Sequence, residues 1–515
     1  MSRPVDKWII ALTVMLPTLM VIIDTSVVNV SLDHIRGSLS AGIDEATWSI
    51  TSYLAANAVI IPMTGWLSRF FGRKRFLIFS VSLFTVSSLL CGLAWNIQSL
   101  IFFRVLQGLA GGSLQPISQS ILLETFPPAQ HGTAMAIFGM GTMFGPIMGP
   151  LLGGWITDNW SWHWIFFVNI PIGMVSLAMS LWFISDPHYM KRTGTSVDYW
   201  GLTLLSIWVG CLQMVLDKGQ REDWFASDFI IVLTIIAIVA FVLFIFAELS
   251  AENPIVDLKV FKSYSFLSGN IVLFFVGAGL FGSIILLPIY LQSLMGYTAL
   301  LSGMILGPGG LAIFLVMPIV GLLIRVVNPK LIVAVGIVIF AYANYLMSCF
   351  NMSADFMSII WPRVVMSTGL GMVFIPLTTL TLSSIPKEEM GNATSVFNLV
   401  RNLGGSMGVA FATTMLSRGT QIHQAHLSEH ITSFDSGYWN AANQSAQLLS
   451  LQGMDPVTAQ QGGAGVIHNE LLRQAYMLSF NDVFFVLTIM MICMLPFILP
   501  FILFMRHVDH SAVKP

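Results

Sequence analysis

A chain of 515 residues that is 56% hydrophobic and only 9% charged cannot bury its apolar surface in soluble domains. Its net charge of −2 speaks against nucleic acid as a partner, and its mean hydropathy of +0.80 points to repeated passage through a bilayer. Cys91, Cys211, Cys349 and Cys493 sit in apolar runs without metal-ligand spacing. They read as small buried hydrophobes, and no disulfide, metal or other cofactor is expected.

Arg3 and Lys7 precede an apolar segment, 8–31, that is too long for a signal-peptide core and lacks a small-residue cleavage site. It reads as an uncleaved first span. Runs of roughly 20 residues or more follow at 46–69, 76–95, 98–126, 131–157, 163–185, 198–217 and 226–249. A second group lies at 265–292, 299–324, 330–350, 356–385, 391–417 and 480–505. The sequence thus predicts an all-α polytopic membrane protein of fourteen transmembrane helices. An even count places both termini on one side. With that side cytoplasmic, fifteen Lys and Arg residues fall inside, and only Arg36, Lys218, Arg221, Arg418 and Arg473 fall outside.

Within the fifth run, Gly141, Gly145, Gly149 and Gly153 recur every four residues, with Gly154 beside them. That spacing lines one helix face with hydrogens and admits another helix to backbone contact. Pro146 and Pro150 remove backbone donors and are expected to kink the helix, which lipid tolerates only where neighbouring protein compensates. Before the last run, residues 418–479 are polar and rich in Gln, Ser, His and Asn, with helical patterns at Asn440–Leu451 and Val457–Gln461. A segment of that length exceeds a simple connector. It reads as a docking surface for another protein or as a solvated hairpin.

The chain repeats itself. Pro62, Gly65, Leu67, Arg69 and Lys74 recur as Pro318, Gly321, Leu323, Arg325 and Lys330, displaced by 256 residues. Arg104, Gly132, Phe138, Gly145 and Gly149 recur as Arg363, Gly391, Phe397, Gly404 and Gly408, displaced by 259. Eight spans separate the copies, so the two halves run in the same direction. Spans 198–217 and 226–249 have no counterpart. The expected plan is a six-helix half (1–190), two inserted helices with linkers (191–260), and a second six-helix half (261–515) carrying the loop 418–479.

Parallel repeats of six helices describe the major facilitator architecture, and local motifs carry the same resemblance. Gly65, Arg69, Gly72, Arg73, Lys74 and Arg75 resemble that superfamily's loop between spans two and three, with Ser68 where Asp is common. Ile22 to Val30, with Asp24 and Asn29, is similar to the first-span signature of fourteen-helix drug:proton antiporters. Leu100, Arg104, Gln107 and Gly108 resemble the fourth-span motif L-x-x-x-R-x-x-Q-G. The Gly/Pro run matches the fifth-span motif that tends to separate exporters from importers. Trp162, Trp164, Phe166, Asn169, Pro171 and Gly173 resemble W-R-W-x-F-x-x-N-x-P-x-G, with His163 replacing Arg. Asn398, Arg401, Gly404, Gly405 and Gly408 resemble a later-half motif of the same branch. Together these are nearest to the EmrB-type multidrug efflux pumps of Gram-negative inner membranes. That resemblance implies a multi-pass protein of the inner membrane, with a periplasmic adaptor (EmrA-like) and an outer-membrane channel (TolC-like) as partners.

Charges inside hydrocarbon are costly and mark functional candidates. Asp24 lies about 16 residues into the first span and Arg104 about six residues into the fourth from its outer end, roughly 24 Å and 9 Å. In a core about 30 Å thick the two share a depth. Asp24 is therefore expected to carry the coupled proton, with Arg104 and Gln107 setting its affinity. A permanent ion pair that merely orients the two spans is the alternative. Arg401 is expected near mid-membrane with Asn398 one turn before it, suited either to an anionic drug or to backbone carbonyls. Arg363 is expected to snorkel. Glu124 reads as an interface residue, or else as a second protonation site. Asn29, Asn57, Gln115 and Gln119 are expected, with Asn398 and Arg401, to line a substrate cavity among Phe and Met side chains. No G-x-x-x-x-G-K-[ST] loop is present, and no intramembrane cluster suits catalysis. The function expected is export of hydrophobic drugs driven by inward proton flow, with a dedicated exporter of one metabolite, such as a siderophore or fatty acid, as the alternative.

Overall fold

A computed structural model of the chain describes residues 6–186, 198–251, 253–429, 431 and 436–504. Every regular element among them is helical. In order these are α1 (Lys7–Val30), α2 (Leu32–Ser38), α3 (Ile43–Phe71), α4 (Arg73–Gly92), α5 (Ile97–Thr125), α6 (His131–Asn159), α7 (Trp164–Phe167), α8 (Asn169–Phe183), α9 (Tyr199–Lys218) and α10 (Asp228–Ser250). There follow α11 (Tyr264–Ile289), α12 (Ala299–Leu323), α13 (Pro329–Met347), α14 (Phe356–Leu382), α15 (Met390–Glu429), α16 (Ser436–Leu451) and α17 (Pro456–Phe504).

Short polar side chains start several of these helices by satisfying the first free amides. Asp6 accepts from the Trp8 amide at 3.1 Å ahead of α1, and Asn96 and Ser99 bond reciprocally ahead of α5. Asn328 caps α13, whose first residue is Pro329. Between α3 and α4 the chain turns at Gly72, whose φ of 89° suits only a residue without Cβ.

Eleven helices among the described residues are long and apolar enough to cross a membrane, so the chain is a multi-pass membrane protein. Helices α5, α6 and α15 are 29, 29 and 40 residues long and pack among those eleven. Two ends of the bundle can be told apart. At the basic end α3 turns into α4 through Arg69–Arg75; at the hairpin end α15 and α17 project, with α16 packed on α17.

The packing repeats. Helix α1 lies on α6, and α5 on α3 and α4; likewise α11 lies on α15, and α14 on α12 and α13. The register repeats too: Gly112 of α5 sits on Asn57 and Ile60 of α3, and Gly371 of α14 on Ile313 and Val316 of α12. Helices α9 and α10 pair, and α9 with the turn after it touches both groups at the hairpin end. Lys218 lies 4.0 Å over the Trp48 ring and Arg221 donates to Thr47, while Trp224 donates to Thr414 at 3.0 Å and Arg418 pairs with Asp223.

Three expectations change. Residues 418–479 are not a loop with helical patches: α15 runs on to Glu429, and α17 begins at Pro456. Of the cysteines, Cys91 and Cys211 are buried but Cys349 and Cys493 are exposed, because an apolar run can face lipid as well as core. The sixth run opens with a separate turn, α7, before α8 starts at Asn169. Helix α6 continues as one element through positions 146 and 150; the side chains of Pro146 and Pro150, on which the expected kink depends, lie outside the described residues.

Candidate functional site

Four helices converge on one ion pair near the hairpin end. Asp24, 1% exposed, receives Arg104 Nη1 on Oδ2 at 2.6 Å. Its Oδ1 accepts from Gln107 Nε2 at 2.9 Å and from Asn169 Nδ2 at 2.7 Å. One turn of α5 places Arg104 and Gln107 on the same face, and Arg104 Nη1 also donates to Gln107 Oε1 at 2.8 Å. The guanidinium is held on its other sides. Its Nε donates to the Ser49 carbonyl at 3.1 Å, and the Tyr53 ring lies 4.0 Å from its carbon. Asn169 Nδ2 is tied in turn to Ser88 Oγ at 3.0 Å.

The glycine stripe and an apolar cap keep this assembly together. Gly145 and Gly149 of α6 press against Ile22 and Ser26 of α1, the residues two before and two after Asp24. A separate apolar cluster that includes Ile23, Val27, Leu100, Trp162 and Phe166 encloses the site. A buried ion pair is strained when either partner loses its charge.

Nearer the basic end, α5 meets α15. Gln115 Oε1 accepts from Arg401 Nη2 at 2.6 Å, and Gln119 Oε1 accepts from Asn398 Nδ2 at 2.6 Å. Four residues expected to line a cavity therefore pair across the two helix groups. Asn57 is half-buried on α3, whereas Asn29 is exposed at the end of α1 and joins neither set. Beyond these pairs the basic end is shut by backbone contact: a Cβ on Gly65 would stand 2.7 Å from Asn392 Cα, and one on Gly132 would stand 3.1 Å from the Gly321 carbonyl.

The loop after α3 is more than a positive anchor. Arg73 is buried and grips Glu124 with two hydrogen bonds, 2.6 and 2.7 Å, while Ser120 donates to the same carboxylate at 2.9 Å. The Lys74 amide donates to Asp186 at 2.8 Å, Arg69 is half-buried, and Arg75 is exposed. Glu124 thus joins Arg73 and Ser120 in a buried ion pair between α4 and α5. Reading the residues by depth also missed Asn169, which opens a span; its place in the Trp162–Gly173 motif was the available signal.

Residues 14–409 match the Major Facilitator Superfamily profile. The chain is 36% identical to fatty acid resistance protein FarB of Neisseria gonorrhoeae, over 95% of each chain. It is also 36% identical to multidrug export protein EmrB of Escherichia coli K12, over 92% of this chain and 91% of that one. Its fold is similar to that of the proton:xylose symporter XylE, with a TM-score of 0.60 over 96% of both chains at 12% identity. These relatives are transporters, not enzymes. Two like-packed helix groups, the first holding a buried carboxylate, and relatives matched across nearly the whole chain place this protein in the Major Facilitator Superfamily, on its EmrB-type branch.

Proposed function

We propose that the chain is a proton-coupled antiporter that exports hydrophobic drugs and other toxic compounds across the inner membrane. The observation that carries the coupling is Asp24, a buried carboxylate held by Arg104, Gln107 and Asn169. Proton entry at Asp24 frees Arg104 and loosens α1 from α5 and α8. The multidrug exporter named among the relatives supports the cargo. In this reading α5, α6 and α15 join the eleven apolar spans as membrane helices, giving fourteen in a six, two, six plan. The basic end and both termini are cytoplasmic, and the closed basic end makes this the outward-facing state. Gln115, Gln119, Asn398 and Arg401 then form the floor that opens to receive substrate from the inside.

Inverted vesicles test the reading. A proton gradient should drive dye uptake, a protonophore should abolish it, and its absence in vesicles rich in the protein would refute export by this route. The hairpin of α16 and the outer ends of α15 and α17 stands beyond the bundle, which supports docking of a periplasmic adaptor and, through it, an outer-membrane channel. Co-purification with an adaptor, lost when 430–455 is replaced by a short linker, is the corresponding check. The fatty acid resistance relative favours a second reading, a narrower exporter of fatty acids. A drug-susceptibility panel in an efflux-deficient strain separates the two.

A further inference from the structure

Arg363 holds in α14 the place that Arg104 holds in α5, and the partners that satisfy Arg104 have been replaced. Packing fixes the correspondence. The contacts of Gly112 and Gly371 relate α5 to α14 by 259 residues and α3 to α12 by 256. Gly145 and Gly149 meet Ile22 and Ser26 as Gly404 and Gly408 meet Phe274 and Ala278, which relates α1 to α11 by 252. Carried through these registers, Asp24 becomes Val276, Gln107 becomes Met366 and Tyr53 becomes Gly309. The carboxylate becomes an alkyl group, the amide a thioether and the ring a hydrogen.

The consequences are visible at Arg363. Among the described residues its Nη1 reaches only the Met366 sulfur, at 3.9 Å, a weak acceptor, and its Nε is buried without a hydrogen-bond partner. The side chain lies flat on α12, where a Cβ at Gly309 would come within 2.7 Å of its Cγ and 2.9 Å of the Ser367 hydroxyl. Among the described residues Arg363 has no carboxylate partner. It does not snorkel towards lipid. Trp361, 64% exposed, points outward two residues earlier, and two residues turn a helix by about 200°. Arg363 is half-buried as a whole residue, unlike the enclosed Arg104.

We propose that Arg363 is the headgroup site for an amphipathic organic anion, a carboxylate above all, with Ser367 and Met366 beside it. This rests on the exporter reading and names one class of its cargo. A guanidinium offers a carboxylate two parallel charge-assisted hydrogen bonds, and an uncompensated charge at this depth gains most from a bound anion. The first half spends its arginine on the proton-carrying Asp24; the second half leaves its arginine to the substrate. Arg363 is seven residues into α14 from the hairpin end, roughly 10 Å, within reach of the outer surface for release.

The test is the affinity of the purified full-length protein, in lipid nanodiscs corrected for partition into empty ones, for dodecanoate and for dodecanol. The wild type should prefer the anion. Arg363→Gln should cut that preference about tenfold or more, and Arg363→Lys should restore part of it. Met366→Glu, which supplies a carboxylate one turn away, should also abolish it and decides the matter if Arg363→Gln does not fold. A dodecanoate-to-dodecanol ratio unchanged in Arg363→Gln or in Met366→Glu overturns the site. Because binding needs no gradient, failure of gradient-driven uptake in vesicles sinks the exporter reading alone, and an unchanged ratio sinks this site alone.

Discussion

Asn169 donates to Asp24 Oδ1 at 2.7 Å from the first residue of α8, so the carboxylate that pairs with Arg104 is also pinned to a third helix. The carboxylate is therefore a junction of α1, α5 and α8. Replacing Asn169 with Leu should lower gradient-driven dye uptake about 10- to 100-fold, the range for losing a hydrogen bond to a charged group. Initial rates in inverted vesicles, normalised to inserted protein, check this. A rate within twofold of wild type would mean that α8 plays no part in coupling.

The Gln115–Arg401 and Gln119–Asn398 pairs tie α5 to α15 near the basic end. Removing both glutamine side chains, at about 1 kcal/mol each, should shift the conformational equilibrium towards opening at that end by about 30-fold. Ser68, 4% exposed at the same end, offers a reporter. A Ser68→Cys background should react faster with a membrane-impermeant thiol reagent from the basic side once Gln115→Ala and Gln119→Ala are introduced.

The glycine stripe makes a prediction that distinguishes its members. A Cβ at Gly149 would fall into the Ser26 side chain, whereas one at Gly154 would meet nothing within 4 Å. Gly149→Val should push α1, and Asp24 with it, off α6 and reduce uptake at least about tenfold. Gly154→Ala should be tolerated. Equal effects of the two changes would contradict a packing role centred on α1.

Arg73 and Glu124 are 5% and 6% exposed. Glu124→Ala leaves a buried guanidinium and should cost about 3 kcal/mol of stability, read as a lowered Tm in detergent. Arg73→Met together with Glu124→Leu should cost less than Glu124→Ala alone. The opposite ranking would mean that the pair stabilises the bundle by more than its own desolvation.

Much of this was legible in the sequence, for identifiable reasons. Hydrophobic length marks spans, and counting residues along two spans placed Asp24 and Arg104 at one depth; they meet at 2.6 Å. The 256- and 259-residue displacements recur as packing registers. Depth counting failed for Asn169, because a residue at a span terminus reads as interfacial unless the chain re-enters through a short turn such as α7. It failed for Arg73, since a cluster of basic residues looks the same whether solvated or folded onto Glu124. Contacts such as Gln115 to Arg401 belong to one conformational state, and no periodicity encodes them. Arg363 looked like a snorkelling residue because its surroundings, set by Gly309 of another helix, are not local in the chain.

The central claim is that Asp24 carries the proton exchanged for substrate, and Asp24→Asn tests it most directly in paired assays on the same vesicles. The variant should still exchange labelled for unlabelled dye across the membrane without a gradient, since its helices can still rock. It should lose accumulation driven by a proton gradient. Full gradient-driven accumulation by Asp24→Asn would contradict the account.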